Sequence, residues 1–419
     1  MDAASEPEGL EESETVSAAG AERSARSLDA RLVHRLLTAL GGPPIEFELA
    51  WTGERVSANR APQARIRIAD RSTLIGIVAD PQVRFGDAYA EGQAEIDGDL
   101  VQLVKLIYRS APGARRGALS RVVNNWRHRP RRNTLAGSRN NIHRHYDIGN
   151  EFYSLWLGQT MAYTCAYYPT ADASLDEAQV AKMDHVCRKL QLKAGDSVVE
   201  AGCGWGTLAL HMASRYGARV RAFNISKEQI AYARARAREQ GLEGRVEFVE
   251  DDYRTISGRY DVFVSIGMLE HVGVENYPQL GQIARRAIGT EGRGLIHSIG
   301  RNQPSSLHPW IERRIFPGAY PPSLSEMMQI FEPADLSVLD VENIRLHYAL
   351  TLRAWMSLYE AAVDKVRAMF DERFVRMWRL YLAGSIAAFE AGTLQLFQVL
   401  FTAEENNRLS LTREFMYPR

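Results

Sequence analysis

Val198-Val199-Glu200-Ala201-Gly202-Cys203-Gly204-Trp205-Gly206 decides the fold of this 419-residue chain. Two β-branched residues, an acid and then three alternating glycines predict a buried strand that runs into a tight turn. Glycine lets a ligand approach such a turn's backbone closely. Residues 207–215 follow without a breaker and set Leu208, Met212 and Arg215 along one stripe. That pattern predicts a helix whose N-terminus faces the turn.

Working outward, residues 219–223 predict a second strand ending at Asn224-Ile225-Ser226, with a charged helix carrying Gln229 behind it. A third strand over 245–249 ends at Asp251-Asp252-Tyr253, and a fourth over 261–266 ends at Gly267-Met268-Leu269-Glu270-His271. Strand–helix alternation at this spacing predicts an α/β, doubly wound, Rossmann-like parallel sheet with ligands at the carboxyl ends of its strands. A nicotinamide enzyme more often shows G-x-G-x-x-G and an acid closing the second strand, where this chain has Asn224. The motif order instead resembles S-adenosylmethionine-dependent methyltransferases. The resemblance implies that Glu200 and the glycines at 202, 204 and 206 hold the amino-acid end of that cofactor, and Asp252 its adenine amine.

Composition sets the bounds. With 45% apolar and 24% charged residues, the chain is long enough for two or more cores. Fifty-one basic residues balance 51 acidic ones, so the whole molecule has no strong attraction to polyanions. Residues 1–27 carry seven acids, two arginines and almost no large apolar side chains, the composition of a disordered tail and not of a signal peptide. Cys165, Cys187 and Cys203 are too few for a disulfide framework and lack metal-site spacing; a cytoplasmic location and no metal are expected. The apolar stretch 380–401 contains Glu390, Gln395 and Gln398 and reads as a buried or amphipathic helix rather than a membrane span.

Upstream, residues 28–40 predict an amphipathic helix stopped by Gly41-Gly42-Pro43-Pro44. Residues 45–51, 64–68 and 73–78 read as strands, 85–89 as a turn and 97–109 as a helix, giving a small α+β domain over 28–110. From Arg109 to Arg139 there are nine arginines and no acid, so 111–138 is an Arg-rich linker or a patch attracted to anionic lipid. Trp126 is its only aromatic, which argues against nucleic acid.

HYDIGNEFY, YTCAYY, EAGCGWG, GMLEHVG, IHSIG, PWIERRIFPGAYPPS and HYALTLRAW, in this order across residues 139–401, resemble the cyclopropane-fatty-acid-phospholipid synthases and the mycolic acid cyclopropane synthases. FGDAYAEGQAEIDGDL resembles, more weakly, the lipid-binding-like N-terminal domain of the phospholipid-acting members. The resemblance implies methyl transfer from S-adenosylmethionine to a cis double bond of an unsaturated phospholipid, then proton loss and ring closure. It further implies bicarbonate as base, held by Glu270, His297 and Tyr348, with main-chain or nearby groups of Cys165 and Ile299. His297 reads as the end of an apolar strand. Tyr163 and Thr164 are expected to fold over the methionine end of the cofactor, Asn224 and Gln229 to face its ribose side, and Asp252 with Tyr253 to border adenine. Met268 and Leu269 would shape the join to the acyl pocket, and residues 309–323 would form a loop over the acyl channel.

Thr164, Leu269 and Ser298 stand where relatives often have serine, phenylalanine and threonine; none removes a group the chemistry needs. Beyond 401 a tail remains, whose Leu409, Leu411, Phe415, Met416 and Tyr417 could pack back onto the catalytic domain. Peripheral contact with anionic membrane and a homodimer are expected. Two alternatives stay open: a methyl-branched or methylene product from the same first step, and an inactive lipid-binding protein.

Overall fold

The computed structural model describes residues 27–110 and 148–417. The basic run at 111–138, the start of the HYDIGNEFY motif and almost all of the acidic N-terminal segment lie outside the described residues.

Strands β1 (Ile45–Leu49), β2 (Glu54–Ser57), β3 (Ala64–Ile68) and β4 (Ala94–Asp97) form one sheet in the order β2-β1-β3-β4. Helices α1 (Leu28–Ala39), α2 (Arg71–Ala79), α3 (Pro81–Ala90) and α4 (Leu100–Ser110) complete this unit. Alternate burial along β1 and β3 puts Ile45, Phe47, Leu49, Ile66 and Ile68 into its core with Val33, Leu37 and Leu74. Two readings fail here. Residues 73–78 are helical because Asp70 caps the segment, its carboxylate accepting from Thr73 N at 2.8 Å, which outweighs the β-branched residues' preference for strand. Residues 85–89 lie inside α3, where Gly86 is a packing glycine: a Cβ there would stand 2.5 Å from the Trp310 indole nitrogen.

The second unit opens with α5 (Asn150–Ser154) and α6 (Leu175–Lys189) and is built on a seven-stranded sheet. Strands β5 (Ser197–Ala201), β6 (Arg219–Asn224), β7 (Val246–Glu250), β8 (Val262–Ile266) and β9 (Arg293–Gly300) pair in parallel in the order β9-β8-β5-β6-β7. Helices α7 (Thr207–Tyr216), α8 (Lys227–Glu239) and α9 (Tyr277–Ile288) connect them. Strand order reverses at β5, so its carboxyl end is the crevice where such sheets take ligands. Beyond β9 come α10 (Pro309–Arg314), α11 (Leu324–Phe331), β10 (Leu336–Asn343), α12 (Arg345–Ala361), α13 (Val363–Met369), α14 (Glu372–Glu390) and β11 (Gln395–Ala403).

β11 corrects the reading of 380–401 as one helix. The helix stops at Glu390, Gly392 turns the chain with φ 75°, and β11 runs antiparallel between β9 and β10, buried at every residue. An apolar run buried on both faces carries no periodicity that separates strand from helix. Residues 309–323 likewise begin with a helix, α10, rather than being loop throughout. In the tail, Met416 is buried with Phe415 packed on the same cluster, its carbonyl accepts from Arg188 Nε at 3.3 Å, and Tyr417 lies 5.7 Å from the His185 ring with its hydroxyl on Glu342 at 3.4 Å, whereas Leu409 and Leu411 are exposed and do not pack as expected.

The two units are in contact. Asp87 of α3 takes Arg314 at 2.8 and 3.0 Å and the Trp310 indole at 3.2 Å. Lys105 of α4 donates to Glu390 at 2.7 Å, and Arg376 donates to Tyr89 O at 2.6 Å. Among the described residues no helix is long and apolar enough to cross a membrane.

Candidate active site

At the carboxyl ends of β5, β6 and β8 a cleft encloses about 1090 Å3 of empty space, counted out to its open mouth. Tyr163, Thr164, Glu200, Gly202, Gly204, Asn224, Gln229, Asp252 and Tyr253 all line it. Gly204 has φ 52° and nothing within 4 Å of where a Cβ would stand, so the turn's open side is free for a ligand. Gly206 is a different case: it does not line the cleft, and a Cβ there would fall 2.5 Å from the Phe248 ring. Its absent side chain serves the left-handed turn into α7 and the packing behind it.

Several polar atoms here have no partner in the protein. Asn224 Nδ2 donates to Gly204 O at 3.1 Å and to Gln229 Oε1 at 2.7 Å, which orients Gln229 and leaves its buried Nε2 without an acceptor. Glu200 Oε2 and the Tyr253 hydroxyl are also buried and unpaired. Such groups each cost on the order of 1–3 kcal/mol, so their collection in one cleft fits a polar ligand that satisfies them. A zwitterionic nucleoside such as S-adenosylmethionine would meet that need, and Glu200 is the carboxylate available to its ammonium. Asp252 is held by Arg254, whose guanidinium bonds it at 3.0 Å and lies 4.8 Å over the Tyr253 ring.

Lys182, which the sequence reading passed over, is buried in the same cleft. Its ammonium donates to Thr164 Oγ1 at 2.9 Å, and Gln179, one turn earlier on α6, donates to Thr164 O at 2.9 Å. The pair clamps the YTCAYY segment over the cofactor turn. Burial drives the pKa of Lys182 down to about 8 and that of Glu200 up to about 8, each opposed by the charge of the other. The signal was a glutamine and a lysine on the inward stripe of a helix, a pattern that alone resembles an exposed face.

Tyr163 joins this cleft to a second environment. Its ring lies 5.5 Å from Tyr153, 5.3 Å from Trp156 and 5.4 Å from Trp355, and its hydroxyl bonds that of Tyr381 at 2.9 Å. These rings belong to one apolar cluster with Cys165, Tyr348 and Ile299. Tyr348 sits on α12 against Phe389 and Trp355 at 4.6 and 5.9 Å. Cys165 is fully buried, its thiol bonded to Ala166 O at 3.1 Å, and burial lifts its pKa far above the ordinary thiol range, so it is no nucleophile.

Glu270 stands in the short turn after β8. Its Oε1 accepts from Ile299 N at 2.6 Å, its Oε2 is buried with no partner, and burial raises its pKa to about 7. Two residues before Ile299, His297 is not at a strand end but mid-way along β9, which continues to Gly300. Its Nδ1 meets Gln398 Nε2 at 3.2 Å, and burial lowers its pKa to about 3, keeping it neutral. With Gln398 donating, the ring proton sits on Nε2. Glu270, His297, Tyr348, Cys165 and Ile299 are not among the residues that line the cofactor cleft. Glu270 and Ile299 bond directly, and Cys165 and Tyr348 share Ile299's cluster.

Comparison with known proteins agrees with this geometry. Residues 134–399 match the family described as mycolic acid cyclopropane synthetase, and residues 33–116 match a domain of unknown function. A probable fatty acid methyltransferase of Pseudomonas putida is 37% identical over 386 residues, 89% of this chain and 96% of that protein. The cyclopropane-fatty-acyl-phospholipid synthase of Escherichia coli (strain K12) is 40% identical over 270 residues, 64% of this chain and 69% of that one. Among solved structures, the mycolic acid cyclopropane synthase CmaA1 complexed with SAH and CTAB is 27% identical with a TM-score of 0.60, covering 63% of this chain and 97% of its own. The matched region spans the parallel sheet, the cleft and the rings of Tyr153, Trp156, Tyr163, Tyr348 and Trp355 together, and on that match the chain belongs to the mycolic acid cyclopropane synthetase family of S-adenosylmethionine-dependent methyltransferases.

Proposed function

We propose that this enzyme cyclopropanates cis double bonds in the acyl chains of membrane phospholipids. One observation carries the reading: Tyr163 is both a wall of the cofactor cleft and a member of the buried aromatic cluster, beside which lies a carboxylate with one unpaired oxygen. An isolated alkene is a weak nucleophile, and S-adenosylmethionine supplies the electrophilic methyl group it requires.

The chain's residues do the rest. The rings of Tyr153, Trp156, Tyr163 and Trp355 keep out water that would trap a carbocation, and their faces favour positive charge. Glu270, with a pKa near 7, is poised to take up a proton at neutral pH. Support for bicarbonate comes from the unpaired Oε2 of Glu270 and the neutral His297; held there, it would supply a base beyond the protein's own side chains. Ile299 N is already occupied by Glu270, so its part is to orient the carboxylate. The small N-terminal domain serves lipid, and the basic run 111–138 brings the enzyme to anionic membrane.

The test is transfer of a labelled methyl group to phospholipid vesicles. Label is expected in monounsaturated chains and absent from saturated ones. Label in saturated chains, or in the head group alone, would contradict the reading.

A further inference from the structure

Two residues beyond Ile299, Arg301 leaves the end of β9 and is held by its backbone, Arg301 N donating to Pro322 O at 2.9 Å. Its guanidinium is different. Nε is buried and has no hydrogen-bond partner, and among the described residues no carboxylate lies within 4.0 Å of the head. The groups that face it electrostatically are the hydroxyls of Tyr108, from α4 of the N-terminal unit, and Tyr320, from the segment after α10. A partly buried guanidinium without a counter-charge is costly, because Arg cannot shed its proton to escape the penalty.

The position gives the cost a purpose. Tyr320 N donates to Glu270 O at 2.7 Å, and Ile299 N to Glu270 Oε1 at 2.6 Å, so the cation is tied through both neighbours to the proposed reaction centre. Val104 and Tyr108 of α4 pack on the aromatic cluster that holds Ile299 and Tyr348, so Arg301 lies where the N-terminal unit closes over that cluster. From Ser110, at the end of α4, the chain enters the run of arginines without acids. An anion with an apolar tail would therefore meet an unpaired cation beside a cluster of aromatic rings.

Resting on the function proposed above, we propose that Arg301 is the anion site of the substrate: it binds the phosphodiester of the phospholipid whose acyl chain enters the aromatic cluster. A phosphodiester offers two oxygens to the guanidinium fork, and the Tyr108 hydroxyl can donate as well, that of Tyr320 being already spent on Glu326 Oε1 at 2.8 Å.

The experiment compares purified wild type, Arg301→Gln and Arg301→Lys in nonionic-detergent micelles containing either an oleoyl phosphatidylglycerol or the diacylglycerol with the same chains. For phosphatidylglycerol, Arg301→Gln is expected to raise KM about tenfold or more while kcat changes less than about threefold. Arg301→Lys should recover part of the loss. KM for diacylglycerol and the affinity for S-adenosylmethionine should stay at wild-type values in both variants, the latter also showing that they are folded. Equal rises in KM for the two lipids, or none for either, would overturn the site. Arg301-dependent inhibition of both lipids by inorganic phosphate would place a free anion there and overturn it too. Wild-type protein that labels neither lipid overturns the proposed function, and this site with it.

Discussion

Glu270 is the side chain on which the proposed chemistry turns. One oxygen is fixed by Ile299 N, the other is free, and neither faces the cofactor cleft. Glu270→Gln should therefore lower turnover about 100-fold or more and leave S-adenosylmethionine affinity nearly unchanged, as read by single-turnover kinetics and calorimetric titration. Activity in the wild type should rise with pH through about 7 as the carboxylate ionises. Stability should move the other way. The folded pKa is raised from 4.5 to about 7, so below pH 4.5 both states are protonated and no penalty exists. Between these values the unfolded chain ionises first, and the folded state loses up to about 3 kcal/mol. Glu270→Gln should then match the wild-type Tm at pH 4.5 and exceed it at pH 8, measured by thermal denaturation.

At this scale the sequence was legible wherever a motif fixed a residue's place on a strand end. Glu200, Asn224 and Asp252 could be read in this way. Lys182 could not, because nothing in a lone helical lysine says that the stripe bearing it points inward. Gly206 was misread for the converse reason: a glycine required by packing looks the same as one required by a ligand.

Among the elements, the parallel strands were readable because each ends in a polar cluster that marks the carboxyl edge of the sheet. β11 was not, since its nine buried residues have no polar face to reveal a period. α2 and α3 were lost to β-branched residues and a glycine whose meaning is tertiary. Gly86 gives a direct test with Gly76 as control. Both lie inside helices, where Gly→Ala alone stabilises by about 1 kcal/mol. Gly76 has nothing within 4 Å of a Cβ, so Gly76→Ala should raise Tm. At Gly86 the new methyl meets the Trp310 indole, so Gly86→Ala should instead cost about 1–3 kcal/mol, as seen by denaturant unfolding.

For the whole molecule, the small domain is a wall of the aromatic cluster rather than an appendage, fastened by Asp87 and Lys105 and contributing Val104 and Tyr108 to the packing. Composition could suggest two units; their seam depends on contacts between residues more than 200 positions apart. The arginine run 111–138 begins just beyond α4. Neutralising Arg127, Arg129, Arg131 and Arg132 together should weaken binding to anionic vesicles, with the difference shrinking as salt is raised, measured by co-sedimentation. The central claim is ring formation, and it is tested most directly by incubating the enzyme with monounsaturated phospholipid and S-adenosylmethionine carrying a trideuterated methyl group, then fragmenting the product in a mass spectrometer. The account predicts a bridging CD2, one deuteron lost to the base, and no remaining alkene. A chain that keeps all three deuterons, or keeps a double bond, would contradict it.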